Sequence, residues 1–91
     1  MKYYNWNTDK NEDLKKNRNI SFEEIVLAIY NDCIIDLFDH PNQNTYPGQK
    51  IYAINHNEYI YLIPFIESEK EIFLKTIIPS RKATKKYSKE S

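Results

Sequence analysis

The chain closes with KTIIPSRKATKKYSKES (75–91), where an apolar run stops at Pro79 and a dense basic stretch follows. Basic side chains at such spacing are suited to phosphate. Ammonium groups act as point charges, and a guanidinium offers a planar fork to two oxygens. With Ser80 as cap, the next residues have helical spacing, so that Arg81, Lys85 and Lys89 form one row and Lys82 and Lys86 another. Ala83 and Tyr87, four apart, would be the packed face. Arg81 is the first candidate for a catalytic contact, because it stands where the last strand hands over to this helix. Lys82, Lys85 and Lys86 are candidates for holding a polyanion. The competing reading is a solvated tail, with Arg81 in a surface salt bridge to one of the glutamates.

Tyr3, Tyr4, Trp6, Tyr59 and Tyr61 offer faces on which unpaired bases could stack. Core packing is the commoner use of such residues, and Trp6 and Phe22 are assigned to it. Tyr59 and Tyr61 share a strand face with Ile63 and are open to either use. Period-two alternation puts Lys75 on one face with Phe73 and Ile77, and Leu74 and Thr76 on the other. If the first face is open, Lys75 stands beside Arg81's end of the sheet as a further catalytic candidate. If not, it guards an edge against aggregation. His40 adjoins Pro41 in a loop and His56 falls in a hairpin turn, both ordinary places for polar residues. They are not at metal-ligand spacing, Cys33 stands alone, and no H-E-x-x-H, C-x-x-C or calcium-loop pattern occurs, so no metal is expected. The single glycine, Gly48, follows Pro47 in a turn. Without a phosphate-binding glycine loop or a G-x-S-x-G elbow, nucleotide-dependent chemistry and a cofactor are not expected either.

The elements that must position these groups belong to one domain, residues 1–91, which buries roughly 60 to 65% of the surface of its unfolded chain. A composition 41% hydrophobic and 14% aromatic is enough for a core. The lone cysteine and the lack of a charged-then-apolar leader make a cytoplasmic location the expectation. The longest mostly apolar run, 59–66, is far short of the roughly 20 residues of a membrane helix. The net charge is zero, but residues 79–91 carry five basic groups against Glu90 and the rest of the chain carries eight basic and twelve acidic groups. A neutral total thus hides a dipolar molecule with a basic end that attracts polyanions.

Asn7-Thr8-Asp9 is a group of good caps, after which 10–18 is almost wholly polar, so a first helix should lie on the surface, anchored by Leu14 and the preceding aromatics. Ser21-Phe22-Glu23-Glu24 has the spacing of a capping box, and Phe22, Ile25, Val26 and Ile29 recur at i, i+3, i+4 and i+7. A second helix begins there. From Cys33 the period changes to two, with Ile35 and Leu37 flanking Asp36, and a polar loop runs from Asp39 to Pro47-Gly48. Further strands are expected at 50–54, 59–66 and 71–78, with a hairpin turn at 55–58 and another turn at 67–70. Pro64 is awkward for an internal strand, because it cannot donate to the ladder; a bulge, or a strand ending at Ile63, would resolve it. The expected fold is α+β in two layers: two N-terminal helices on a small antiparallel sheet of about four strands in a meander, with a short basic C-terminal helix.

Three stretches together resemble the BrnT family of bacterial toxins, small ribonucleases of type II toxin-antitoxin pairs with a RelE-like fold. Tyr4-Asn5-Trp6-Asn7 followed by Lys10 resembles the family's aromatic-x-Trp-Asp-x-x-Lys opening. Ile20-Ser21-Phe22-Glu23-Glu24 resembles its Val-Ser-Phe-Glu-Glu helix start. Ile78-Pro79-Ser80-Arg81-Lys82-Ala83-Thr84 resembles its Ile-Ser-Ala-Arg-Lys-Ala-Thr. The likeness spans most of the chain in this order and spacing. The chain departs at Asn17-Arg18-Asn19, where the family usually has Lys-His-Gly, at Asn7 in place of an acid, and near Tyr87 in place of a glutamate. If those groups act in relatives, the site here is differently arranged.

The resemblance implies a growth-arresting ribonuclease that needs no metal and is held inactive by a cognate antitoxin from a neighbouring gene. DNA contact would come only through that partner, and no membrane is involved. Such toxins rely on arginine, lysine and tyrosine more than on a paired acid and base. Arg81 would stabilise the crowded phosphate, and Lys10, which the resemblance aligns, could act as base if neighbouring cations and burial lower its proton affinity. Lys75 is the third catalytic candidate; Lys82, Lys85, Lys86, Tyr59 and Tyr61 would bind RNA. The rival is a non-catalytic nucleic-acid or protein-binding module of the same fold.

Overall fold

The computed structural model describes residues 2–88, the side chains of Tyr87 and Ser88 excepted. The elements run β1 Tyr3–Trp6, α1 Thr8–Arg18, α2 Phe22–Tyr30, β2 Ile34–Asp39, β3 Lys50–His56, β4 Tyr59–Glu67, β5 Glu71–Leu74, β6 Ile78–Pro79 and α3 Arg81–Ser88. The packed face expected from Ala83 and Tyr87, and the place of Lys89 in the basic row, lie outside the described residues. No helix among the described residues is long and apolar enough to cross a membrane.

The fold is α+β, with α1 and α2 where their caps place them. Asn7 accepts the Lys10 N–H at 2.9 Å, and α1 ends at Asn19 in the left-handed region. Ser21 and Glu24 form the reciprocal capping box of α2, Ser21 Oγ accepting the Glu24 N–H at 3.2 Å and the Glu24 carboxylate accepting the Ser21 N–H at 2.9 Å. Leu14, Ile20, Phe22 and Ile25 are buried against Tyr52, Ile54, Ile63, Phe65 and Leu74 of the sheet. That apolar layer is the core.

The sheet corrects the expectation of an antiparallel four-strand meander. It is mixed and ordered β1-β5-β4-β3-β2, with β6 also paired to β4. The opening aromatics form an edge strand, and β1 pairs parallel to β5 with Tyr4 beside Ile72 and Trp6 beside Leu74. Four residues are too few for their alternation to stand out from an aromatic cluster. The partner lies more than sixty residues away, so no local signal announces the pairing. Placed there, Trp6 stacks on Phe22 at 5.7 Å between ring centroids.

The strand expected at 71–78 is broken: β5 stops at Leu74 and pairing with β4 resumes at Ile78. Pro64 accounts for the break. Its carbonyl accepts the Lys75 N–H at 2.8 Å, so its nitrogen, which has no hydrogen, faces the same side. The irregularity falls on the neighbouring segment, and β4 itself continues to Glu67.

The two-layer expectation also needs amending. Register puts Asp36, Ala53, Leu62 and Ile78 on the sheet face away from the core cluster. Ser80, Lys82, Ala83 and Lys86 line a groove with Asp36, Phe38, Ala53 and Leu62. Hence α3 lies on the opposite face from α1 and α2.

Candidate functional site

The hairpin between β3 and β4 builds the site. Its turn is only two residues, Asn57 and Glu58, with φ of 54° and 64°, the double positive φ that a tight primed turn requires. His56 therefore belongs to the strand, directly opposite Tyr59, and not to the turn where the sequence suggested it. Alternation puts His56, Tyr59 and Tyr61 on the core face, at the end where the sheet outruns the buried layer. The Tyr59 and Tyr61 ring centroids are 5.4 Å apart, and those of His56 and Tyr61 6.2 Å.

Two other segments converge on these rings. Arg18, the last residue of α1, and Ile20, in the connection to α2, border the same groove as Tyr59 and Tyr61, and Pro79 of β6 pairs with Tyr61. Together these five residues line an open groove of about 380 Å³. Asn19 makes the corner possible: its φ of 54° lies in the region that glycine and asparagine accept most readily.

From the other side comes Glu24. One carboxylate oxygen is held by the Ser21 N–H and hydroxyl, and the other lies 3.4 Å from His56 Nε2. The Tyr61 hydroxyl is pushed above its ordinary value, first by burial and then by the negative charge of neighbouring Tyr59 and Glu24. It is a hydrogen-bond donor at neutral pH and a poor base.

Arg81 opens α3 two residues after Pro79. The first turn is pinned: Ser80 Oγ accepts the Ala83 N–H at 3.1 Å, and Thr84 Oγ1 accepts the Ile60 N–H of β4 at 2.9 Å. Arg81 is exposed at the start of α3 and is not among the residues that line the groove.

The other sequence candidates disperse. Lys10 is exposed in the first turn of α1, eight residues from Arg18 and so about 12 Å away along the helix axis. Lys75 lies past the end of β5 with its ammonium 5.4 Å from the Phe73 ring centroid, on the face away from the core. Ile77, expected on Lys75's face, is instead buried in the core, because the strand does not continue through it. Lys82 and Lys86 line the groove on the far face, and Lys85 is exposed. Tyr59 and Tyr61 are therefore on one side of the sheet, and the basic row of α3 is on the other.

No family model, curated protein or solved structure matches the chain. The site must be read from its own residues. Among the described residues, no three His, Cys, Asp or Glu side chains gather as a metal site. What does gather is an open groove lined by Arg18 and two tyrosines, and next to it an imidazole backed by a carboxylate. Such a site can stack a planar base, hold an anion and move a proton. From sequence His56 is set aside as an ordinary turn residue, Glu24 is read as a cap and Arg18 as a departure from the family. His56 alternates with Tyr52 and Ile54, a signal that it shares their face; nothing local tells that Arg18 would border the same groove as Tyr61.

Proposed function

We propose that the chain is a toxin of BrnT type with a RelE-like fold: a cytoplasmic, metal-independent endoribonuclease that arrests growth and is neutralised by a cognate antitoxin. The observation that carries this reading is the groove lined by Arg18, Tyr59 and Tyr61. Single-stranded RNA is ordinarily gripped by stacking its bases on aromatic faces while cations hold its backbone. Here Tyr59 and Tyr61 take the base, and Arg18 and Arg81 take the phosphate whose charge builds in the transition state. Arg18 stands where the family usually has histidine, so a cation is retained, and Asn19 supports the left-handed corner that glycine serves in relatives.

The partner fits a second surface. On edge strand β2, the apolar side chains Ile34, Ile35, Leu37 and Phe38 are all exposed. An uncovered apolar edge is a liability for a free domain and a natural seat for an antitoxin. DNA contact follows from that partner.

Expression of the chain without its antitoxin should arrest growth, and the purified protein should cut RNA. Arg81→Ala should abolish cutting while the circular dichroism spectrum is retained. One observation favours a non-catalytic binding module instead: Lys82 and Lys86 rim a groove remote from the tyrosines, where they could hold a polyanion without access to His56. RNA that is bound but left intact would select that reading.

A further inference from the structure

We propose that His56 is the general base of this site, taking the 2′-hydroxyl proton of the ribonucleotide on the 5′ side of the scissile phosphate, with Glu24 as the residue that positions it. The inference rests on the ribonuclease reading of the adjoining groove, whose Tyr61 ring centroid lies 6.2 Å from that of His56, and names the group that performs its proton transfer.

The geometry is built, not incidental. Tyr52, Ile54 and His56 share one face of β3, and the first two are buried in the core. The third reaches the open end, where its side chain is 21% exposed. Glu24 is held by its cap: Ser21 occupies Oε2, leaving Oε1 to face His56 Nε2 at 3.4 Å. A carboxylate at one ring nitrogen selects the tautomer in which the other nitrogen, Nδ1, accepts a proton, and it stabilises the imidazolium that results. The Asn57 amide nitrogen, a donor 3.4 Å from Nε2, competes with this tautomer, and the Glu24 charge on the same nitrogen opposes that competition.

The titratable and charged groups around the imidazole come from each packed element. Glu24 comes from α2, Tyr59 and Tyr61 from β4, and Cys33 from the connection between α2 and β2, lining the same depression as His56. Arg18 lines the adjoining groove with Tyr61.

The step balances without an oxidant, a reductant or a metal. Nδ1 of His56 takes the 2′-hydroxyl proton, the freed oxygen bonds to phosphorus, and the bond from phosphorus to the 5′-oxygen breaks. That oxygen takes a proton from water. The products are a 2′,3′-cyclic phosphate and a 5′-hydroxyl, while Arg18 neutralises the phosphoryl oxygens and Tyr61 donates to them.

A DNA oligonucleotide carrying a single ribose defines one scissile bond, and an all-deoxy copy reports binding alone. The wild-type rate should rise with pH as the base loses its proton. His56→Gln should lower it by about 10²- to 10⁴-fold and flatten the profile, with affinity for the all-deoxy copy unchanged. Free imidazole should restore cutting to His56→Ala. If His56→Gln cuts at the wild-type rate with the wild-type profile, His56 is not the base, although the ribonuclease reading survives. Loss of rate with the pH limb retained and no rescue by imidazole marks a merely structural contact and also overturns the inference. An oligonucleotide left uncut by the wild-type protein defeats the ribonuclease reading itself, and His56 with it.

Discussion

The side chain of Asn11 bridges the two N-terminal helices: its carbonyl accepts the buried Phe22 N–H at 2.8 Å while its amide donates to Glu23 at 2.7 Å. It is 4% exposed, one of two buried polar side chains in the described chain. The Phe22 N–H is among the first in α2 and has no intrahelical partner. Asn11→Ala should leave that donor unsatisfied and cost about 1 to 3 kcal/mol, read as a lowered urea midpoint at unchanged slope.

The same bond makes stability depend on pH. Glu23 titrates below its ordinary value of 4.5, chiefly because Asn11 donates to its carboxylate, with Lys15 assisting. A carboxyl depressed in the folded state contributes stability that is present above 4.5 and is lost as pH falls through the folded value. The stability gap between wild type and Asn11→Ala should therefore narrow on acidification from neutral pH to about pH 3. A gap independent of pH would show that the Glu23 arm contributes nothing.

Glu58 sits in the hairpin turn at a φ of 64°, a conformation that strains a residue carrying a Cβ. Glu58→Gly relieves that strain at the cost of a more flexible unfolded chain. The net gain should be roughly 0.5 kcal/mol, visible as a higher Tm, with the His56–Tyr59 pairing and hence RNA cutting retained.

Helix caps and hydrophobic period were legible because they are local. Asn7, Ser21 and Glu24 act as their spacing predicts, and Phe22 and Ile25 face the core. The sheet was half legible: Ile34–Asp39 and Tyr59–Glu67 lie close to where period two placed them and Lys50–His56 runs two residues past the expected 50–54, but the Tyr3–Trp6 pairing depends on a partner across most of the chain. In 10–18 only the apolar Leu14 was expected to anchor the helix, and buried Asn11 was overlooked because its role depends on Phe22. The site followed the same rule. That Tyr59 and Tyr61 share a face was readable from alternation, whereas the places of Arg18 and His56 beside them depend on tertiary neighbours. Lys10 and Lys75 stand near the catalytic motifs in sequence and apart from the groove in space.

Arg18→Ala should weaken RNA binding at low salt and reduce the slope of log affinity against log salt by about one phosphate contact, or ~0.7 for a single strand. An unaltered slope, measured by fluorescence anisotropy on a labelled oligoribonucleotide, would remove Arg18 from the phosphate-binding set.

The most direct measurement is the end chemistry of RNA incubated with purified protein in excess chelator, read by mass spectrometry. A guanidinium and tyrosine groove acting without a metal should yield 2′,3′-cyclic phosphate and 5′-hydroxyl ends, and Arg18→Ala should suppress both. Intact RNA under conditions where anisotropy still reports binding would contradict the ribonuclease account and leave a binding module.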